Sequence, residues 1–272
     1  MNNLFQITLV LALGYCAIAA GALFLSDYLI FPAPDASYDE DPDTFYIQLP
    51  EYGLSIACCY FPSDQAKATI LYSHGNGEDL GSIRETLKLL NQLGFNVLAY
   101  DYPGYGLSKG DPSEAHTYVA AQAAYDYLTA ELRIPAECIF LYGRSLGGGP
   151  SVELARRNPV GGIILEGAFV SAFRVKTRWQ MLPWDKFENL KKLKELHCPI
   201  LVIHGTHDHT VPFWHGKALY DASPQEKMKL WVEGAGHNNI IEEAGPAYAE
   251  ALLSFTTETY GKKRTCRSTP RL

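Results

Sequence analysis

The stretch Gly143-Arg144-Ser145-Leu146-Gly147 constrains this chain more than any other. It follows a short apolar run, Cys138-Ile139-Phe140-Leu141-Tyr142, and opens a segment from Leu146 to Arg157 that reads as a helix. A strand, a sharp turn centred on a serine, and then a helix form the setting of a nucleophile elbow. The flanking glycines permit a strained turn that exposes the serine hydroxyl. Gly147, Gly148 and Gly149 also let the helix approach the strand closely.

The pattern around Ser145 is weak alone, and its neighbours make the case. Pro199-Ile200-Leu201-Val202-Ile203 runs into His204-Gly205-Thr206-His207-Asp208. Lys229-Leu230-Trp231-Val232 runs into Glu233-Gly234-Ala235-Gly236-His237. Each is a strand-like run ending in a glycine-bearing loop with a titratable residue. Ser145, Asp208 and His237 therefore follow the chain order nucleophile, acid, base. A serine hydroxyl is a poor nucleophile at neutral pH. It needs a histidine to take its proton and a carboxylate to orient that histidine. Upstream, Ala68-Thr69-Ile70-Leu71-Tyr72 leads into Ser73-His74-Gly75-Asn76-Gly77. A loop here supplies one oxyanion-hole amide, with Asn76 the first choice and Gly77 the second; Leu146, after the nucleophile, supplies the other.

Rival readings exist for several of these residues. Glu166 also ends a strand and competes with Asp208 as the acid. Asp101 ends another, but Asp101-Tyr102-Pro103-Gly104-Tyr105-Gly106 reads as a structural turn whose aspartate accepts backbone hydrogen bonds. His74 is expected to brace the oxyanion loop rather than move protons. His204, His207, Asp208 and His209 are dense enough to raise a metal site. Adjacent residues at a strand end diverge in direction, and no second ligand group accompanies them, so no metal is expected.

These residues carry a resemblance. With His74-Gly75-Asn76-Gly77-Glu78-Asp79, the Asp101–Gly106 turn, the serine turn, His204–Asp208 and Gly236-His237, the chain resembles the α/β-hydrolase superfamily over about residues 45 to 260. It is similar to small membrane-anchored serine hydrolases, including the protein depalmitoylases and their bacterial and fungal relatives. The resemblance implies a mostly parallel eight-stranded sheet with helices on both faces and little or no cap domain. It implies hydrolysis of an ester or thioester, on a small molecule or an acylated protein, with no cofactor. A serine peptidase of the same fold and an inert membrane-bound binding protein are the alternatives. The chain lacks the N-terminal cysteine cluster of the animal depalmitoylases and has only Cys16 near its start.

The remaining chain alternates as such a fold requires. Phe45–Leu49 and Leu54–Phe61 read as opening strands, Asn96–Tyr100 and Gly161–Leu165 as inner ones. Helices are expected at Ser82–Leu93, opened by the capping box Ser82-Ile83-Arg84-Glu85, and at Glu114–Leu132, Phe213–Tyr220 and Glu243–Thr259. Strands separated by helices imply a parallel sheet covered on both faces. Net charge is −7, which argues against a nucleic-acid partner. Oligomeric state is open.

Met1 to Ser26 carries no charged side chain, and Leu4–Leu25 is long enough to cross a bilayer as a helix. A signal peptide cleaved near Ala17-Ile18-Ala19 is the rival. The start has no positive charge and the apolar run continues past that point, so residues 1–30 read as an uncleaved anchor contacting membrane lipid. No Lys or Arg precedes Lys67, so charge bias hardly orients the segment; the catalytic part is expected outside the cytoplasm. Residues 31–44, rich in Pro and Asp, read as a linker, and 45–260 as the catalytic domain. Residues 261–272 form a basic tail, expected to be disordered. Residues 167–198, where a lid would lie, mix Phe169, Phe173, Trp179, Met181, Trp184 and Phe187 with seven basic groups against three acidic ones. That segment reads either as a helix packed on the sheet or as a surface that meets lipid headgroups.

Overall fold

Apolar residues on consecutive positions of the inner strands decide the architecture, because successive side chains point to opposite faces. The computed structural model describes residues 3–64, 66 and 68–261. Eight strands form one sheet: β1 (Thr44–Leu49), β2 (Leu54–Phe61), β3 (Ala68–Ser73), β4 (Phe95–Tyr100), β5 (Ile139–Arg144), β6 (Gly162–Glu166), β7 (Ile200–Gly205) and β8 (Lys227–Val232). Their order is β1-β2-β4-β3-β5-β6-β7-β8, and β2 alone runs against the others.

On one face Leu71, Leu98, Leu141, Ile163 and Val202 pack under α3 (Glu114–Asp126) and α4 (Gly148–Arg157). On the other, Ile70, Val97, Phe140, Ile164 and Leu201 pack under α2 (Arg84–Gln92) and α8 (Pro246–Gly261). α1 (Asn3–Ile30), α5 (Asn189–Leu193), α6 (Trp214–Ala222) and α7 (Ile240–Ala244) complete the helices among the described residues. Residues Phe5–Ile30 of α1 are long and apolar enough to cross a membrane, with mean hydropathy 2.2. The stretch between α1 and β1 is pinned to the sheet: Ser37 donates its amide to Asp79 (2.6 Å), and Tyr38 its hydroxyl to Asp101 (2.5 Å). The basic tail, beyond Gly261 at the end of α8, lies outside the described residues.

Four local expectations change. The capping box at Ser82 does not form, and α2 starts at Arg84 without a side-chain cap. Asp79 takes the Ser82 side chain instead: the hydroxyl donates to the Asp79 carbonyl at 2.9 Å, closing a tight turn that competes with the cap. The helix expected at Glu243–Thr259 is broken into α7 and α8. Gly245 adopts φ +51 and Pro246 has no amide to continue the ladder, so the chain turns there. The helix from Glu114, capped by Ser113, ends in a π-helical turn over Tyr127–Glu131. Residues 167–198 are mostly irregular, with only the short α5 and a turn of 3-10 helix at Phe173–Val175. Phe169 and Phe187 face the core, whereas Trp179 and Met181 are exposed.

Glu153 ties this face together. Its buried carboxylate accepts from Arg156 (2.7 Å) and Arg157 (2.5 Å) on α4 and pairs with Lys192 of α5 (2.8 Å). Burial acts to raise its pKa, but the three cations outweigh burial and bring it down to about 2. A carboxyl depressed in the folded state stabilises above its unfolded pKa, and that contribution disappears as pH falls through the folded value. Glu153→Gln is expected to lower Tm at neutral pH, with the gap to wild type closing as pH falls from the ordinary glutamate range toward about 2. A gap independent of pH in thermal melts would refute this assignment.

Candidate active site

Ser145 sits where β5 hands over to α4, in a single turn of 3-10 helix over Ser145–Gly147. Its φ is +50, a left-handed conformation that costs a non-glycine residue energy and lifts the side chain out of the turn. Tight packing holds it there. A Cβ at Gly147 would lie 2.0 Å from the Ser73 carbonyl oxygen, so only glycine fits. β7 ends in the loop of Asp208, and β8 ends in the loop of His237.

The structure brings all three side chains together. His237 Nε2 lies 3.0 Å from Ser145 Oγ, and His237 Nδ1 lies 2.6 Å from Asp208 Oδ2. Asp208 Oδ1 accepts the amides of Thr210 (2.9 Å) and Val211 (2.8 Å), which fixes the carboxylate plane. Burial acts to raise the Asp208 pKa; the hydrogen bond and charge of His237, with the Val211 amide, outweigh it and hold the carboxyl below its usual range. Asp208 is thus an anion throughout the neutral range. Glu166, the rival acid, is engaged elsewhere. It accepts the Tyr142 hydroxyl and pairs with Arg144 Nε at 3.4 Å. His204 is fully buried and donates to the Val211 carbonyl at 2.8 Å.

Asn76 and Leu146 both border the cavity at Ser145. The Asn76 side chain is held at both ends: Oδ1 accepts from Tyr105 Oη and Nδ2 donates to the Ile30 carbonyl, each at 2.6 Å. His74 is buried below, donating Nδ1 to the Gly75 carbonyl (2.8 Å), while Tyr102 donates to the His74 carbonyl (2.6 Å). Asp101 accepts the Leu80 amide (2.9 Å) at the far side of the same loop.

Two residues quoted in the sequence motifs were given no role there. Glu78 Oε2 accepts the Gly75 amide at 2.6 Å, and its other oxygen pairs with Arg144. Arg144 also donates to Asn238 Oδ1 (2.9 Å) and to the His237 carbonyl (3.4 Å). One guanidinium therefore links the serine turn, the Asn76 loop, the end of β6 and the histidine loop. Burial opposes its charge; Glu78 leads the effects that overcome burial and raise its pKa further. The available signal was a cation beside the serine and an acid two residues after Asn76.

Ser145, Asn76 and Thr210 stand between two cavities. One, of about 570 Å³, is polar and lined by Glu78, Arg144, Glu166, His237 and Asn238. The other, of about 580 Å³, is mostly apolar and lined by Leu146, Phe169, Phe173, Val175 and Val211, with α1 across it. Both volumes fall in the ~300–1,000 Å³ range of small-molecule sites.

Comparison with known proteins agrees with the fold. Residues 64–191 match the family model described as serine aminopeptidase, S33, and residues 172–263 that of the prolyl oligopeptidase family. An eight-stranded sheet of this order with these loops defines an α/β hydrolase, and the chain belongs to that superfamily, among the α/β-hydrolase domain-containing proteins. It is 36% identical to human α/β-hydrolase domain-containing protein 17B over 82% of its length and 78% of the relative's. It is 41% identical to the α/β-hydrolase domain-containing protein aho-3 of Caenorhabditis elegans, over 74% of its length and only 61% of that protein's. Among solved structures, an esterase from Pyrococcus furiosus superposes with TM-score 0.69 at 17% identity, covering 83% of this chain and 98% of the esterase. A monoacylglycerol lipase from Paleococcus ferrophilus superposes with TM-score 0.60 at 21% identity, over 75% and 99%.

Replacing Arg144 with Met strands two largely buried carboxylates, Glu78 and Glu166, without their cation. Arg144→Met is expected to cost about 3–5 kcal/mol of stability, the scale for breaking a buried pair. Glu78→Gln, which leaves Arg144 paired with Glu166, should cost less. Urea titration of the two variants reads the difference, and an unshifted Arg144→Met midpoint would disprove the role.

Proposed function

We propose that this hydrolase is a serine hydrolase that cleaves carboxylic ester or thioester bonds through an acyl-enzyme. The observation that carries this reading is the hydrogen-bonded chain Ser145–His237–Asp208 at the junction of a polar and an apolar cavity. His237 Nε2 takes the Ser145 proton as Oγ attacks the carbonyl carbon. The backbone amides of Leu146 and Asn76 receive the developing oxyanion. Asp208 holds His237 in the tautomer that presents Nε2 and stabilises its protonated form. His237 then gives the proton to the departing alcohol or thiol. Water, deprotonated by the same histidine, attacks the acyl-enzyme; the carboxylic acid leaves and Ser145 regains its proton.

The apolar cavity suits the acyl group and the polar cavity the leaving group. An aminopeptidase would want an unpaired acid near the site to receive the substrate's amine. Glu78 and Glu166 on the polar side are both paired to Arg144, which favours an ester or thioester. The substrate is an acylated protein or a small ester at a membrane, with α1 as the single-pass anchor.

Labelling with a fluorophosphonate probe tests the chemistry. Wild type should label and Ser145→Ala should not. On a soluble p-nitrophenyl ester, Asp208→Asn should lower kcat by about 10⁴, the scale of the tautomer defect. Absence of labelling in folded wild type would leave the inert binding protein as the better reading.

A further inference from the structure

One face of α1 is turned toward the catalytic domain along its second half. Ala22, Ser26, Leu29 and Ile30 line the apolar cavity at Ser145. These positions recur at helical spacing and form one stripe. The same stripe continues toward the N-terminus with Ile18 and Tyr15. Ile18 borders a second apolar cavity of about 300 Å³ with Met181, Leu182 and Trp184. The Tyr15 hydroxyl donates to the Met181 carbonyl at 3.5 Å. Phe173 and Thr177 line both cavities, so the two abut end to end along the helix. The opposite face, with Leu13, Phe24 and Tyr28, is open, and Leu23 on its flank is exposed as well.

The helix is seated rather than merely attached. Lys186 pairs with Asp27 at 3.0 Å, the Phe31 ring meets Phe187 edge to face at 6.0 Å, and the Ile30 carbonyl receives the Asn76 side chain. Ala22 lies about 12 Å along the axis from Ile30 at the helical rise. A bilayer spanned by Phe5–Ile30 with Asp27 and Lys186 at its surface would place Ala22 and Ile18 in its hydrocarbon layer, beside Met181 and Leu182. A second observation points to an occupant. Ser26 borders the cavity and is only 3% exposed, and its buried hydroxyl has no hydrogen-bond partner among the described residues.

We propose that α1 is a wall of the active site and that its Ala22–Ser26–Ile30 stripe sets acyl-chain selectivity. A long fatty acyl chain enters sideways from the bilayer, between α1 and the Phe173–Trp184 segment, and lies along the stripe. Its carbonyl sits at Ser145, and the substrate's ester region reaches the unpartnered Ser26 hydroxyl. This inference rests on the serine-hydrolase reading above.

The full chain in phosphatidylcholine nanodiscs provides the test, with p-nitrophenyl hexadecanoate and p-nitrophenyl acetate as probes. Ala22→Trp, which intrudes on the cavity, should lower the ratio of long-chain to short-chain hydrolysis by about tenfold or more, the scale of pocket-shape discrimination. Leu23→Trp, one position round on the exposed flank, should leave that ratio unchanged. Ala22→Leu should shift the ratio in the same direction by less, and covers the case in which tryptophan unseats the helix, which loss of Ser145 labelling reports. Equal ratios in wild type, Ala22→Leu and Leu23→Trp overturn the proposal. Wild type that labels with no probe and cleaves neither ester overturns the hydrolase reading beneath it instead. A monoacylglycerol and an S-acylated peptide, each in the same discs, separate the sources of the chain. Slower cleavage by Ala22→Trp in either arm supports the proposal and names the source, and no change in both refutes it.

Discussion

The rest of the structure depends on the contact between Gly147 and the Ser73 carbonyl. β3 and β5 are parallel neighbours, with Ser73 beside Gly143, so their two exit loops leave the sheet side by side. The serine turn then rests directly on the backbone that leads into the Asn76 loop. No adjustable side chain stands between them. The strained Ser145 backbone and the loop proposed to hold the oxyanion therefore share one hard surface, and neither moves without the other.

Electrostatics divides the two sides of that surface. Arg144 gathers Glu78, Glu166, Asn238 and the His237 carbonyl on one side, in a polar cavity. The other side is mostly apolar, closed by Phe169, Phe173 and a helix that carries no charged side chain before Asp27. An acyl compound has one polar and one apolar end about its carbonyl. Under the proposed function, the asymmetry of the site would orient such a molecule before any group reacts.

Much of this was legible in the sequence because it is written in local patterns. Strand runs with apolar residues on both faces foretold a sheet covered twice, and the glycine-bearing loops after β5, β7 and β8 marked the three loops that the fold brings together. The order of Ser145, Asp208 and His237 along the chain corresponds to loops that converge in space. Other parts depend on tertiary partners that no local pattern encodes. Ser82 carried a capping signature, yet Asp79 claims its hydroxyl because Asp79 is itself held by Ser37 from the segment before β1. Arg144 and Glu78 are 66 positions apart, and each reads as an ordinary surface charge until the fold places them together. The docking of α1 was invisible for the same reason: a uniformly apolar helix shows no preferred face until something packs against it.

The Tyr142 hydroxyl, which donates to Glu166, also meets the Tyr248 hydroxyl of α8 at 2.5 Å, in the fully buried layer beneath the site. This has a consequence for the order of events during synthesis. Ser145 leaves the ribosome long before His237, and the tyrosine that completes the support under Glu166 follows His237. The Ser145–His237–Asp208 arrangement stays unassembled until nearly the whole domain has emerged. A partly emerged chain therefore cannot hold these three side chains together.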